Sequence, residues 1–227
     1  MQFFKYVCIV FFGVLLVACQ SAPVSKQEPI SSEPEKLVEP LTEKEKLLQS
    51  PNQYLRGEVS ESARLLFNKA MDYKNDNQLE QASQTLSNLV MQFPKLSGAH
   101  LQLAYIAKEQ GQSSVYAAHL EDALAANANN YFAANELALV EREAGNFDKA
   151  LALYQQAIKS WPGFATSYIN QGILYDLYLN EKQKAVESLQ TYLVLADEQS
   201  ESTKKVKVWL IDLDRQIKAQ QKEASSD

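Results

Sequence analysis

Four small residues, Ala70, Ala104, Ala138 and Gly172, follow one another at intervals of 34 positions. Gly111 and Gly145 keep the same interval, as do Pro94, Ala128 and Pro162. A side chain no larger than a methyl group lets two backbones approach closely, provided a larger neighbour fills the groove beside it. Returning such a residue at a fixed period places the same close contact in each of several stacked units, so the chain is expected to form a repeat array.

The stretch from Ala144 to Pro162 shows what one unit contains. Gly145 can take the left-handed backbone that ends a helix, Asn146 and Asp148 suit a turn and a helix start, and Pro162 closes the next helix. Between them Ala150, Leu153, Tyr154, Ala157 and Ile158 recur every three to four positions, the pattern of an amphipathic helix. Extending this reading predicts eight helices in four hairpins, over about 60–75, 79–93, 97–110, 114–126, 131–144, 147–160, 165–179 and 182–196. In each hairpin a small residue at position eight should face one at position twenty: Ala70 with Ala82, Ala104 with Tyr116, Ala138 with Ala150. Tyr116 breaks the rule, so that hairpin should be looser or its ring must lean aside. The fourth unit fits only with one extra residue before Ala185, which predicts a long first helix through Tyr175, Leu177, Tyr178 and Leu179. A ninth helix from about Thr203, with Val206, Trp209, Leu210, Leu213 and Ile217 on one face, should cap the open end of the stack.

The period and the residues of the third unit, Tyr131 to Phe164, resemble the tetratricopeptide repeat (TPR) family. Leu137, Ala138, Gly145, Ala150, Tyr154, Ala157 and Pro162 match the family's types, while Ala134 stands where many repeats carry Trp and Glu141 where many carry Tyr. The resemblance extends over Ser60 to Asp197 and implies an all-α, TPR-type α-solenoid of about four helical hairpins with a C-terminal capping helix. It also implies that the first helix of each unit lines a concave groove for a peptide or helical segment of another protein. By repeat position that groove should present Phe67, Leu101, Tyr105, Phe132, Asn135, Leu139, Arg142, Ile169, Asn170 and Ile173, with Tyr105, Phe132, Leu139 and Ile169 at its centre. Some members of the family hold acidic peptide C-termini through a set of Lys, Arg and Asn; that full set is not found here.

The N-terminus carries a different message. Lys5 precedes a short apolar run, Val7 to Val17, which falls below the length of about 20 residues that a membrane span requires. The run ends in Leu16-Val17-Ala18-Cys19, which resembles the lipobox of bacterial lipoproteins and makes Cys19 the expected lipidated residue. Gln20 stands where Asp usually marks retention in the inner membrane, so the expected destination is the periplasmic face of the outer membrane. With Cys8 removed and Cys19 lipidated, no free thiol or disulfide remains. Beyond Cys19 the composition is rich in Pro, Ser, Glu and Lys, that of a chain that cannot bury enough surface to order itself. Thr42 and Glu45 have capping-box spacing and predict a short helix before Pro51. The expected organisation is a signal peptide over 1–18, a lipidated Cys and mostly disordered tether over 19–59, the solenoid with its capping helix over 60–221, and a disordered tail over 222–227.

Catalytic chemistry has little to build on. The two histidines, His100 and His119, have no spacing used by metal motifs, and they read as interhelical or surface residues with no metal or other cofactor expected. Phosphate-binding glycine loops, serine elbows and a cysteine nucleophile are missing from the sequence. With 22 basic and 28 acidic residues and no long basic stripe, the chain is a poor match for nucleic acid. The sequence therefore predicts a non-enzymatic, outer-membrane scaffold for other envelope proteins, with room for self-association at the solenoid's ends and convex face. Pilotin-like assembly of a secretin, and an adaptor for a cell-wall enzyme or, less readily, such an enzyme itself, stand as alternatives.

Overall fold

The computed structural model describes residues 40–55 and 57–225, and Cys19 with its apolar leader lies outside the described residues. Among the described residues the chain forms ten helices and no strand. A short α1, Glu43–Gln49, precedes four hairpins: α2 Glu61–Asn75 with α3 Leu79–Gln92, α4 Ser97–Glu109 with α5 Ser113–Ala126, α6 Tyr131–Glu143 with α7 Phe147–Ser160, and α8 Ala165–Leu177 with α9 Lys182–Leu195. The last helix, α10, spans Glu201–Ala224. Each second helix packs against the first helix of the following unit, so the hairpins stack in chain order as an α-solenoid.

One turn design closes every hairpin. Asn77, Gly111, Gly145 and Asn180 all have positive φ, between 53° and 81°. This left-handed residue turns the chain so that the next amide caps the helix just ended: Gln78 N donates to Tyr73 O, Gln112 N to Ala107 O and Asn146 N to Glu141 O, at 2.8–2.9 Å. In the fourth unit the equivalent bond, Glu181 N to Tyr175 O at 2.8 Å, spans one more residue. The predicted long first helix is therefore corrected. α8 has 13 residues, as α4 and α6 do, and the extra residue sits in the turn. Asn180 tolerates the left-handed conformation there, so lengthening the turn is easier than extending the helix into it.

The small residues meet as the period requires. Ala70, Ala82, Ala104, Ala138, Ala150 and Ala185 are fully buried. At Gly172 a Cβ would lie 2.7 Å from Cδ2 of the fully buried Leu189, so this position has no room for a side chain unless the core shifts. Tyr116 resolves its conflict by leaning: the ring is buried and its hydroxyl donates to the Glu136 carboxylate of the next unit. Burial, together with that hydrogen bond, pushes the Tyr116 hydroxyl well above its ordinary value.

Both ends of the folded unit extend past the expected boundaries. α10 buries Val206 and Leu213 against the cluster of Leu189 and Tyr192, the capping role predicted for it, and it continues through 222–224, which were assigned to a tail. Within the expected tether, residues 40–55 and 57–59 instead follow the solenoid. Thr42 and Glu45 form the predicted capping box and α1 rests on α9. Gln53 N donates to Ser160 O at 2.9 Å, and the Tyr54 ring packs edge-on against Tyr131, 5.8 Å between centroids. Proline spacing argued for a disordered tether, but Leu47 and Tyr54 supply apolar surface that the solenoid can bury. No helix among the described residues is long and apolar enough to cross a membrane.

Candidate functional site

The first helices α2, α4, α6 and α8 lie side by side and exchange side chains along one face. Position twelve of each unit sets its character: Lys74, Lys108, Arg142 and Asp176. Lys74 donates to Gln102, lies 3.6 Å from Glu109 and sits over the Tyr105 ring. Lys108 pairs with Glu136 at 2.9 Å and reaches Tyr116. Asp176 closes the row, taking Lys182 Nζ at 3.1 Å and Trp209 Nε1 at 2.8 Å. Three of these four charges thus have an opposite charge beside them.

Arg142 differs. Its guanidinium lies 5.8 Å from the Tyr178 ring centroid, and its buried Nε and Nη1 meet no hydrogen-bond acceptor among the described residues. The fully buried Tyr154 hydroxyl is likewise without a partner. Burial pushes that phenol up to about 12, opposed by the attraction of the Arg142 charge. Buried donors of this kind normally have partners, and leaving one unmade costs about 1–3 kcal/mol or more for a charged group. Nε and Nη1 lie on different edges of the guanidinium, so each is a separate vacant donor for a carboxylate or carbonyl oxygen.

The other expected groove residues divide between surface and scaffold. Leu101 is 5% exposed and belongs to the core, where it presents nothing to a partner. Asn135 is 2% exposed, and its Oδ1 accepts from Ser167 Oγ at 3.2 Å and Asn170 Nδ2 at 3.1 Å. These two predicted ligands therefore join α6 to α8. Phe67 packs on the first unit's core and Leu139 on the central one, while Ile169 lies against the Tyr175 cluster and Ile173 is half-buried. Tyr105 is half-buried over the central cluster, and burial pushes its hydroxyl up to about 12. Phe132 keeps 36% exposure, but Tyr131, Phe164 and Tyr54 surround it at centroid distances of 4.2, 5.3 and 6.4 Å. Tyr54 comes from the segment assigned to the tether, so the sequence could not show that part of this aromatic surface is already covered.

That segment also builds a cleft absent from the sequence reading. Tyr54, Val59, Phe93, Leu96, Ser97 and Gly98 enclose part of a space of about 830 Å³ between the segment and the α3–α4 connection.

Comparison with known proteins follows the same lines. The tetratricopeptide-repeat family model matches residues 101–165 and again 135–200. No curated protein matches the chain in sequence. Among solved structures, pilF of Pseudomonas aeruginosa is similar with a TM-score of 0.58 and 19% identity, covering 69% of this chain and 70% of that one. A tetratricopeptide repeat protein from Parabacteroides merdae gives 0.56 at 20% identity, with 69% and 62% covered. MamA of Desulfovibrio magneticus RS-1, residues 41 to its end, gives 0.52 at 15% identity, with 70% and 98% covered. At these identities the likeness is one of fold. Residues 101–200 match the tetratricopeptide-repeat model, and the architecture that carries the Arg142 face is an α-solenoid similar in fold to these structures.

Proposed function

We propose that this chain is a non-catalytic scaffold, tethered through a lipidated Cys19 to the periplasmic face of the outer membrane, which holds a carboxylate-bearing segment of another envelope protein. The observation that carries the binding role is Arg142, whose inward nitrogens lack acceptors on a face where its counterparts Lys74 and Lys108 have them. A peptide Asp, Glu or C-terminal carboxylate would complete that site, and half-buried Leu139, Ile169 and Ile173 would receive apolar side chains. The anchoring role rests on Lys5, the apolar run and Leu16 to Cys19.

Crosslinking in intact cells followed by purification of the chain tests both parts. Wild-type protein should capture a periplasmic or outer-membrane protein, Arg142→Ala should lose it, and Arg142→Lys should keep only part of it because an ammonium cannot reproduce the planar spread of guanidinium donors. Cys19→Ser should move the chain from the membrane to the soluble fraction. Capture unchanged by Arg142→Ala would overturn the assigned groove. The captured protein would distinguish secretin assembly from service to a cell-wall enzyme.

A further inference from the structure

His100 and His119 are 19 residues apart, a spacing that gave no reason to expect a metal. The α4–α5 hairpin removes that separation. His100 on α4 and His119 on α5 direct Nδ1 toward one carboxylate: Asp122 Oδ2 lies 3.9 Å from the first and 3.6 Å from the second. The three ligand atoms all lie within 4.8 Å of one another. Two ligands on a tetrahedral zinc ion, each about 2.0–2.1 Å from the metal, are separated by about 3.4 Å. The observed set needs to close by only a fraction of an ångström for the carboxylate pairs.

The protonation pattern also suits coordination. His100 Nε2 lies 3.3 Å from the carbonyl oxygen of Pro94, which can only accept, so that nitrogen carries the proton and Nδ1 keeps its lone pair. A ligating histidine is commonly oriented in this way, its outer N–H held by a backbone carbonyl. Nδ1 of both histidines is buried and has no hydrogen-bond partner among the described residues. Two buried ring nitrogens beside a carboxylate, each beyond hydrogen-bond distance of it, are costly as they stand and favourable around a cation. Access is open, since Asp122 keeps 56% side-chain exposure.

We propose that His100, His119 and Asp122 bind a divalent transition-metal ion of the zinc class, which clips α4 to α5. Two imidazoles and one carboxylate favour such an ion over Mg²⁺ or Ca²⁺, which prefer all-oxygen shells. Three protein ligands leave a fourth position for water. The clip falls in the one hairpin whose close contact carries Tyr116 in place of a small residue.

The test uses the purified full chain, stripped with chelator and titrated with Co²⁺ as a visible probe, then with Zn²⁺ in competition. One equivalent should bind with ligand-field bands of a nitrogen-oxygen site, Zn²⁺ should displace it, and Zn²⁺ should raise the melting midpoint. His119→Ala should abolish these changes, and Asp122→Asn should weaken binding at least about tenfold. Helical circular dichroism checks the fold of each variant. Asp122→Asn is the deciding one should a histidine variant unfold, because its side chain is exposed. Failure of the wild type to bind one equivalent more tightly than about 100 µM, or equal binding by Asp122→Asn, would overturn the site.

Discussion

The indole nitrogen of Trp209 donates to Asp176 Oδ2 at 2.8 Å, joining the capping helix to the last member of the row that begins at Lys74. Asp176 is 9% exposed and shares its other oxygen with Lys182. The cap thus supplies a polar partner to a nearly buried charge as well as covering apolar surface. Trp209→Phe keeps most of the ring but removes the donor, which should cost about 2 kcal/mol for a hydrogen bond to a charged group. That corresponds to a drop of roughly 4–8 °C in melting midpoint, readable by circular dichroism. Asp176→Ala combined with Trp209→Phe should cost less than the sum of the two, since both remove the same bond.

Tyr54 is the main apolar anchor of the segment between α1 and α2. Its ring meets Tyr131 and Phe132, and aromatic pairs of this kind contribute about 0.5–1.5 kcal/mol each beyond area burial. Tyr54→Ala should therefore lower stability by roughly 1–3 kcal/mol. It should also expose the segment to limited proteolysis between Ser50 and Ser60 while the solenoid resists. Cutting at the same rate in wild type and variant would show that the ring does not hold the segment.

Glu141 carries a pH dependence whose sign is fixed by its partners. Its carboxylate takes Lys149 Nζ at 2.6 Å and Asn146 Nδ2 at 2.8 Å, and the Lys149 hydrogen bond, with help from Asn146, holds its pKa below the ordinary 4.5. A depressed folded-state pKa gives stability that is present above 4.5 and lost as pH falls through the folded value. Urea unfolding at a series of pH values should show wild type more stable than Glu141→Gln near neutrality. The two curves should converge once pH has fallen below the folded-state value. A gap that persists into acid would assign the effect to contacts that do not depend on the carboxylate's charge.

The helices were legible because their physical cause is periodic. Ala70, Ala104, Ala138 and Gly172 act through a local requirement for closeness, and the turn residues Gly111 and Gly145 act through a backbone preference that each residue carries by itself. The missed features depend on which distant groups meet. Asn135 and Asn170 have the composition of a binding surface, and only the approach of α6 to α8 shows that they bind each other. Tyr54 lies in a proline-spaced segment whose composition gave no weight to a single ring with a receptive surface. His100 and His119 are unremarkable in sequence because the hairpin, rather than a motif, brings them together.

The Tyr154 hydroxyl offers a way to separate stability from binding. It is fully buried, has no partner among the described residues, and its pKa stands at about 12 mainly because burial disfavours the phenolate. A raised folded-state pKa means stability that is intact below the ordinary value of 10 and lost as pH climbs through about 12. Tyr154→Phe removes an unpaired polar atom, so the melting midpoint at neutral pH should stay level or rise by an amount equivalent to about 1 kcal/mol. Spectrophotometric titration should lose one late-ionising phenol. Capture of the partner should be unchanged in the same variant, because the hydroxyl is enclosed by the fold. A lower melting midpoint would mean that the hydroxyl is already satisfied within the fold.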